Sequence, residues 1–99
     1  MKINNPILFC CYNRLSLIKK SISIIRNIEC KKIYISIDGP KKSDKDNEIN
    51  IEVINYLSNL KFKSETVFKI NKENKGCKIA ISSAIDWFFQ NEDSGIILE

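Results

Sequence analysis

The sequence contains no histidine. A zinc centre built on imidazole, and any mechanism that uses imidazole as its base, is therefore excluded. The four cysteines, Cys10, Cys11, Cys30 and Cys77, form no C-x-x-C pair, so a thiolate zinc site has no framework either. Cys10 and Cys11 lie in an apolar run, where free cysteine behaves as a small hydrophobe. The thiols are accordingly expected to be reduced and buried. Glycine is scarce, with three residues in the whole chain, and none follows the first apolar run, where the segment reads CYNRLS. A dinucleotide fold needs a glycine-rich turn there, and a P-loop needs GxxxxGK followed by Ser or Thr; both are missing. Acidic residues, which a phosphoacceptor site of the response-regulator kind would place after that run, are missing too, and Arg14 stands there instead. No apolar stretch is long enough to span a bilayer. The opening MKINNP lacks the apolar core of a signal peptide. The default compartment is the cytoplasm, with attachment to a membrane through further sequence or a partner left open.

What is present suits one small domain covering residues 1–99. An apolar fraction of 43% and a charged fraction of 28% are ordinary for a soluble globular chain. The formal net charge is +4, but the lysines are scattered rather than stacked on one helix. The balance reads as a solvated basic surface and not as a nucleic-acid face. There are no internal repeats, no low-complexity linker and no candidate domain boundary.

Apolar periodicity divides the chain into alternating elements. Pro6 to Cys11 is an apolar run of strand length. Leu15, Ile18, Ile22 and Ile25 follow at helical spacing. Lys32 to Asp38 alternates, with Ile33, Ile35 and Ile37 pointing one way and Tyr34, Ser36 and Asp38 the other. Ser43 with Asp46 three positions later resembles a capping box, and Ile49, Val53, Ile54, Leu57 and Leu60 mark the helix behind it. Thr66 to Ile70 is a third strand. Asn74-Lys75-Gly76 is a turn. Cys77, Ala80, Ile81, Ala84, Ile85 and Phe88 then mark a helix whose two alanines make a flat face for a sheet. Ile96-Ile97-Leu98 reads as a strand covered on both faces. The order β-α-β-α-β-α-β predicts an α/β fold: an open, mainly parallel sheet with helices on both faces and right-handed connections, half of a doubly wound architecture. The last strand runs straight into Glu99 with no helix to cover it, which suggests the N-terminal part of a longer protein.

Open α/β sheets bind ligands outside the carboxyl ends of their strands. Here those ends carry Tyr12 and Arg14, then Asp38, then Glu99. An aromatic ring can stack on a base, a guanidinium pairs with phosphate, and a carboxylate accepts from an imide N–H or from ribose hydroxyls. Taken singly, each residue has an ordinary explanation as a packing aromatic, a solvated charge or a turn former. Their joint placement on one sheet edge suits a nucleoside diphosphate.

Four stretches, ILFCCYNR, IYISIDGP, NKGCKIAISSAIDWFF and GIILE, resemble the nucleotide-binding half of GT-A glycosyltransferases, the nucleotide-diphospho-sugar transferase superfamily. The resemblance covers nearly the whole chain. It implies that Tyr12 flanks the base and that Asn13 and Arg14 belong to the same segment, with Arg14 meeting the diphosphate or the base. Asp38, with Gly39 after it, binds the base, most often uracil. Asn74 and Gly76 shape the loop near the phosphates, with Lys78 a weaker phosphate candidate. Glu99 is the first acid of an acidic motif whose metal-binding members follow it, so no metal ligand is expected within these residues and a divalent cation, Mg or Mn, is expected in the complete protein. The implied activity is transfer of a sugar, UDP-linked in the commonest case, to an acceptor hydroxyl. The acceptor, the catalytic base and the stereochemistry are not implied, and the 99 residues alone are expected to be inactive. Three alternatives stand beside it: a non-catalytic α/β module binding a nucleotide or a protein, a nucleotidyltransferase, which CYNRLS disfavours, and a nucleic-acid binder on charge alone. Asp38→Ala is expected to weaken nucleotide binding by about 1–3 kcal/mol with little effect on stability.

Overall fold

Seven elements alternate along the chain, as the periodicities predict. A computed structural model describes residues 2–99 and places strand β1 at Ile7–Cys11, helix α1 at Leu15–Ile25, β2 at Ile33–Ile37, α2 at Asp44–Ser58, β3 at Thr66–Ile70, α3 at Cys77–Asn91 and β4 at Ile96–Leu98. All strand pairs are parallel and the order across the sheet is β3-β2-β1-β4. The protein is an open parallel α/β fold.

The alternation in β2 separates two layers. Ile33, Ile35 and Ile37 join Phe9 of β1 in a core with Ile18, Ile22 and Ile25 of α1 and Val53 and Leu57 of α2. On the opposite face, Tyr34 and Leu8 pack against Ala84 and Phe88 of α3. The flat alanine face lets the helix axis come close to the strands, and the Tyr34 ring meets Trp87 and Phe88 edge-on at centroid distances of 5.2 and 5.0 Å. Trp87 and Phe88 are thus core aromatics, whereas Phe89 on the next position is exposed.

The helices start in different ways. The Ser43 hydroxyl caps α2 by accepting from the Asp46 N–H at 3.1 Å, and Asp44 and Asp46 complement the helix dipole. Gly76 opens α3 with φ 83, a left-handed value that glycine adopts without a Cβ clash. At its far end, Glu92 is buried; it binds Lys31 Nζ at 2.7 Å and accepts from the Tyr34 hydroxyl at 2.6 Å, pinning α3 to the N-terminal end of β2. Lys31, the first influence, and then Tyr34 hold the Glu92 carboxyl below its ordinary value.

Two expectations are corrected. β4 is not covered on both faces: it pairs with β1 at the sheet edge, and Ile96, Ile97 and Leu98 are 37–38% exposed. The buried face of α3 centres on Leu8 of β1 and Tyr34 of β2, with the Phe88 ring set against Gly95 just before β4. The thiols are not uniformly buried either. Cys10, Cys11 and Cys30 are half-buried, and Cys77 is exposed because it opens α3 at the mouth of a cavity; all four are free thiols. Leu60, grouped with α2 by spacing, falls just past its end at Ser58 but still packs on the larger core. Among the described residues no helix is long and apolar enough to cross a membrane.

Candidate functional site

Connections from β1 through α1, β2 and α2 to β3 run steadily toward one edge of the sheet. The α3 crossover then returns and sets β4 on the far side of β1. The crevice between the carboxyl ends of β1 and β4 is thus a topological switch point, the usual ligand position in open α/β sheets. A cavity of about 540 Å³ opens there. A larger hollow of about 770 Å³ lies at the opposite end of the strands, among Lys2, Glu29, Lys63 and Glu65, away from the switch point.

The cavity floor follows from strand register. Cys10 pairs with Ser36, and Phe9 with Leu98, so Glu99 is the neighbour of Cys10 on the next step of the ladder. All three line the cavity. Burial first, then Glu99 and Cys77, push the Cys10 thiol up to about 11; burial pushes Cys11 up to about 12. Both are therefore thiols and not nucleophilic thiolates at neutral pH.

Asp38 sits at the end of β2 and is buried. Its Oδ1 accepts from Gly39 N–H at 2.9 Å, Lys75 N–H at 3.0 Å and the Asn71 amide at 3.1 Å, while Oδ2 accepts from the Asn74 amide at 3.3 Å. The carboxylate thereby holds the loop from Asn71 to Gly76 against the Gly39 turn. Gly39 itself is buried so tightly beneath this loop that a Cβ there would collide with the Glu73 backbone. Asn74 adds a bond to Gly39 O at 3.0 Å and accepts from Gly76 N–H at 3.1 Å, which sets the turn into α3. The expectation that Asp38→Ala leaves stability nearly untouched is corrected by this geometry.

A second junction ties the loop after β1 to the start of α2. The Tyr12 hydroxyl donates to Asp46 Oδ2 at 2.6 Å, and the Lys41 N–H donates to the same oxygen. Asn13 donates to Asp46 O at 3.0 Å and accepts from Asn50 at 3.2 Å; Asn50 also donates to Asp38 O at 3.0 Å. Partial burial first, then the Asp46 hydrogen bond, push the Tyr12 phenol up to about 12, and the same bond holds the Asp46 carboxyl below its ordinary value.

Of the residues singled out from sequence, Tyr12, Arg14, Asp38, Asn74, Gly76 and Glu99 line the cavity together. Asn13 and Gly39 stand behind them as supports. Lys78 is exposed on the first turn of α3 and is not part of the lining. The lining also includes Lys41, Cys77 and Ala80, which sequence reasoning did not assign to a site. Lys41 follows Asp38-Gly39-Pro40 directly, so its position in the chain was the available signal.

The lining carries two cations, Arg14 and Lys41, and two carboxylates, Asp38 and Glu99; what suits an anion is the state of the cations and of the helix starts. Arg14 and Lys41 are exposed and make no ion pair among the described residues. α1 and α3 begin at Arg14 and Gly76 without a side-chain cap and without an acid in the first turn, in contrast to α2. Both starts border the cavity, and free N–H groups at a helix start carry partial positive charge. For a metal the fit is poor. Among the described residues no group of three or more Cys, Asp or Glu is placed to hold an ion, and Asp38 already has its oxygens engaged, which leaves Glu99 as a single carboxylate at this edge. In comparisons with known proteins, no family model, no curated protein and no solved structure matches the chain.

Proposed function

We propose that this chain is the nucleotide-binding part of a GT-A-like glycosyltransferase, holding a nucleoside-diphospho-sugar, UDP-linked, at the β1/β4 crevice for transfer of the sugar to an acceptor hydroxyl. The observation that carries the reading is the convergence of two uncapped helix starts with the unpaired Arg14 and Lys41 on one cavity beside an aromatic ring. The diphosphate lies against the starts of α1 and α3, and the Tyr12 ring flanks the base. Asn74 and Gly76 shape the phosphate side through their turn. Glu99 faces the ribose or the diphosphate end of the cavity. The reading includes a divalent Mg or Mn ion. Among the described residues none are brought together to form its site.

Calorimetric titration of the full chain with UDP tests the reading. UDP binds, Arg14→Ala weakens it by about 1.5–3 kcal/mol, the scale of a hydrogen bond to a charged group, and inorganic sulfate at the same concentration competes poorly. Absence of UDP binding by the folded chain sinks the proposal. A second reading, a protein-binding module without catalysis, is favoured by the exposed β4 with Ile79 and Phe89 on α3; it predicts self-association without UDP binding.

A further inference from the structure

The loops that follow β1 and β2 are joined through one side chain that does not line the cavity. Asp46 occupies the position from which an acid in a reciprocal capping box bonds back to the N–H of the capping residue. Here that N–H goes elsewhere: Ser43 N–H donates to Lys41 O at 2.7 Å. The Asp46 carboxylate turns outward instead, to the Tyr12 hydroxyl and the Lys41 N–H, while its own carbonyl takes the Asn13 amide. The helix needs no second cap from it, because the Ser43 hydroxyl already accepts from Asp46 N–H. A carboxylate behind a cavity bordered by Arg14 and Lys41 has the wrong sign for an anion site. Its contribution there is orientation, since one oxygen fixes both the tilt of the Tyr12 ring and the path of the Lys41 backbone.

We propose that Asp46 is a positioning residue of the nucleotide site, holding Tyr12 and Lys41 in their binding arrangement through the two bonds to its Oδ2 without touching the nucleotide. The inference rests on the reading of the cavity as a nucleotide site. Charge and orientation predict opposite signs. As a nearby negative charge alone, Asp46 would repel the diphosphate and its removal would tighten binding; as a positioning group, its removal loosens binding.

The test is a double-mutant cycle on UDP affinity in the full chain, with Asp46→Ala, Asp46→Asn, Tyr12→Phe and the Asp46→Ala/Tyr12→Phe pair, alongside hydrogen exchange of the Lys41 amide without ligand. Asp46→Ala is expected to weaken UDP about tenfold. Asp46→Asn, which keeps an acceptor oxygen, recovers most of that loss. The pair is no weaker than Asp46→Ala alone, because the two residues act as one unit. The Lys41 amide is protected in the wild type and in Tyr12→Phe and exchanges rapidly in Asp46→Ala. Tighter UDP binding in both Asp46 variants overturns the proposal, and so do additive losses in the pair. If Asp46→Ala does not fold, Tyr12→Phe decides: weaker UDP binding supports the role, and unchanged or tighter binding overturns it. A wild type with a protected Lys41 amide and no UDP binding removes the nucleotide reading and this role with it. Additive losses in a wild type that does bind UDP remove this role alone.

Discussion

Replacing Asp38 by alanine removes the acceptor for donors from two separate loops at once. The Gly39 N–H and the Asn71 amide are buried and have no water to turn to, whereas Lys75 N–H and the Asn74 amide are only partly buried. Leaving a buried donor unpaired costs about 1–3 kcal/mol. With two such donors fully stranded and two that can rehydrate, Asp38→Ala should cost about 2–5 kcal/mol, a large share of the roughly 5–15 kcal/mol that holds a typical domain. Equilibrium unfolding in urea measures it directly. With a slope of about 1–2 kcal/mol per molar for a small chain, the midpoint falls by on the order of 2 M. Asp38→Asn should lie between, because its oxygen can still serve Gly39, Asn71 and Lys75 while its amide opposes the donor of Asn74. A folded Asp38→Ala protein with an unshifted midpoint refutes the argument that this carboxylate staples the loops. The same calculation means that lost nucleotide affinity in Asp38→Ala does not by itself report a contact between Asp38 and a base.

Tyr34→Phe strips the buried Glu92 of one of its two partners and should lower stability by about 1.5–3 kcal/mol in urea titrations. Because the Glu92 carboxyl is held below its ordinary 4.5, its contribution is present above about pH 4.5 and is lost as pH falls through the depressed folded value; a Glu92→Gln variant should flatten that acid limb, and an unchanged limb would argue against the buried pair. Alkylation with iodoacetamide at pH 8, followed by peptide mass analysis, should modify exposed Cys77 well before Cys10 and Cys11, whose thiols are pushed up to about 11 and 12; equal rates would contradict their placement in the sheet.

The elements and their two-layer packing were legible because they rest on local periodicity. The alternation of Ile33, Ile35 and Ile37 against Tyr34 and Ser36 assigned both faces of β2 correctly, and both helix ends of the Ser43 and Gly76 kind were marked by turn chemistry. Burial of β4 was misjudged because an apolar triplet reports what a strand would tolerate, not which strand a helix will cross. The strand ends named Tyr12, Arg14, Asp38 and Glu99, and the fold does bring them to one cavity. The supporting roles were not legible. Asp46 lies 34 positions from Tyr12, and Asn71 lies 33 positions from Asp38. At such separations no spacing rule operates. An Asp three residues after a Ser looks the same in sequence whether its carboxylate turns back to the cap or out to a tyrosine.

The strand order also has a kinetic consequence. β1, β2 and β3 with α1 and α2 can associate through pairings between successive strands, and they share one larger core. The β1–β4 pairing instead joins Ile7 to Ile96, from near opposite ends of the described residues. Closing so long an excursion has an entropic cost before any ladder bond forms, and the edge strand, its three residues 37–38% exposed, offsets it less than a fully buried strand would. β4 is thus expected to dock after β1, β2 and β3 have paired, so that the wall of the crevice it carries forms last.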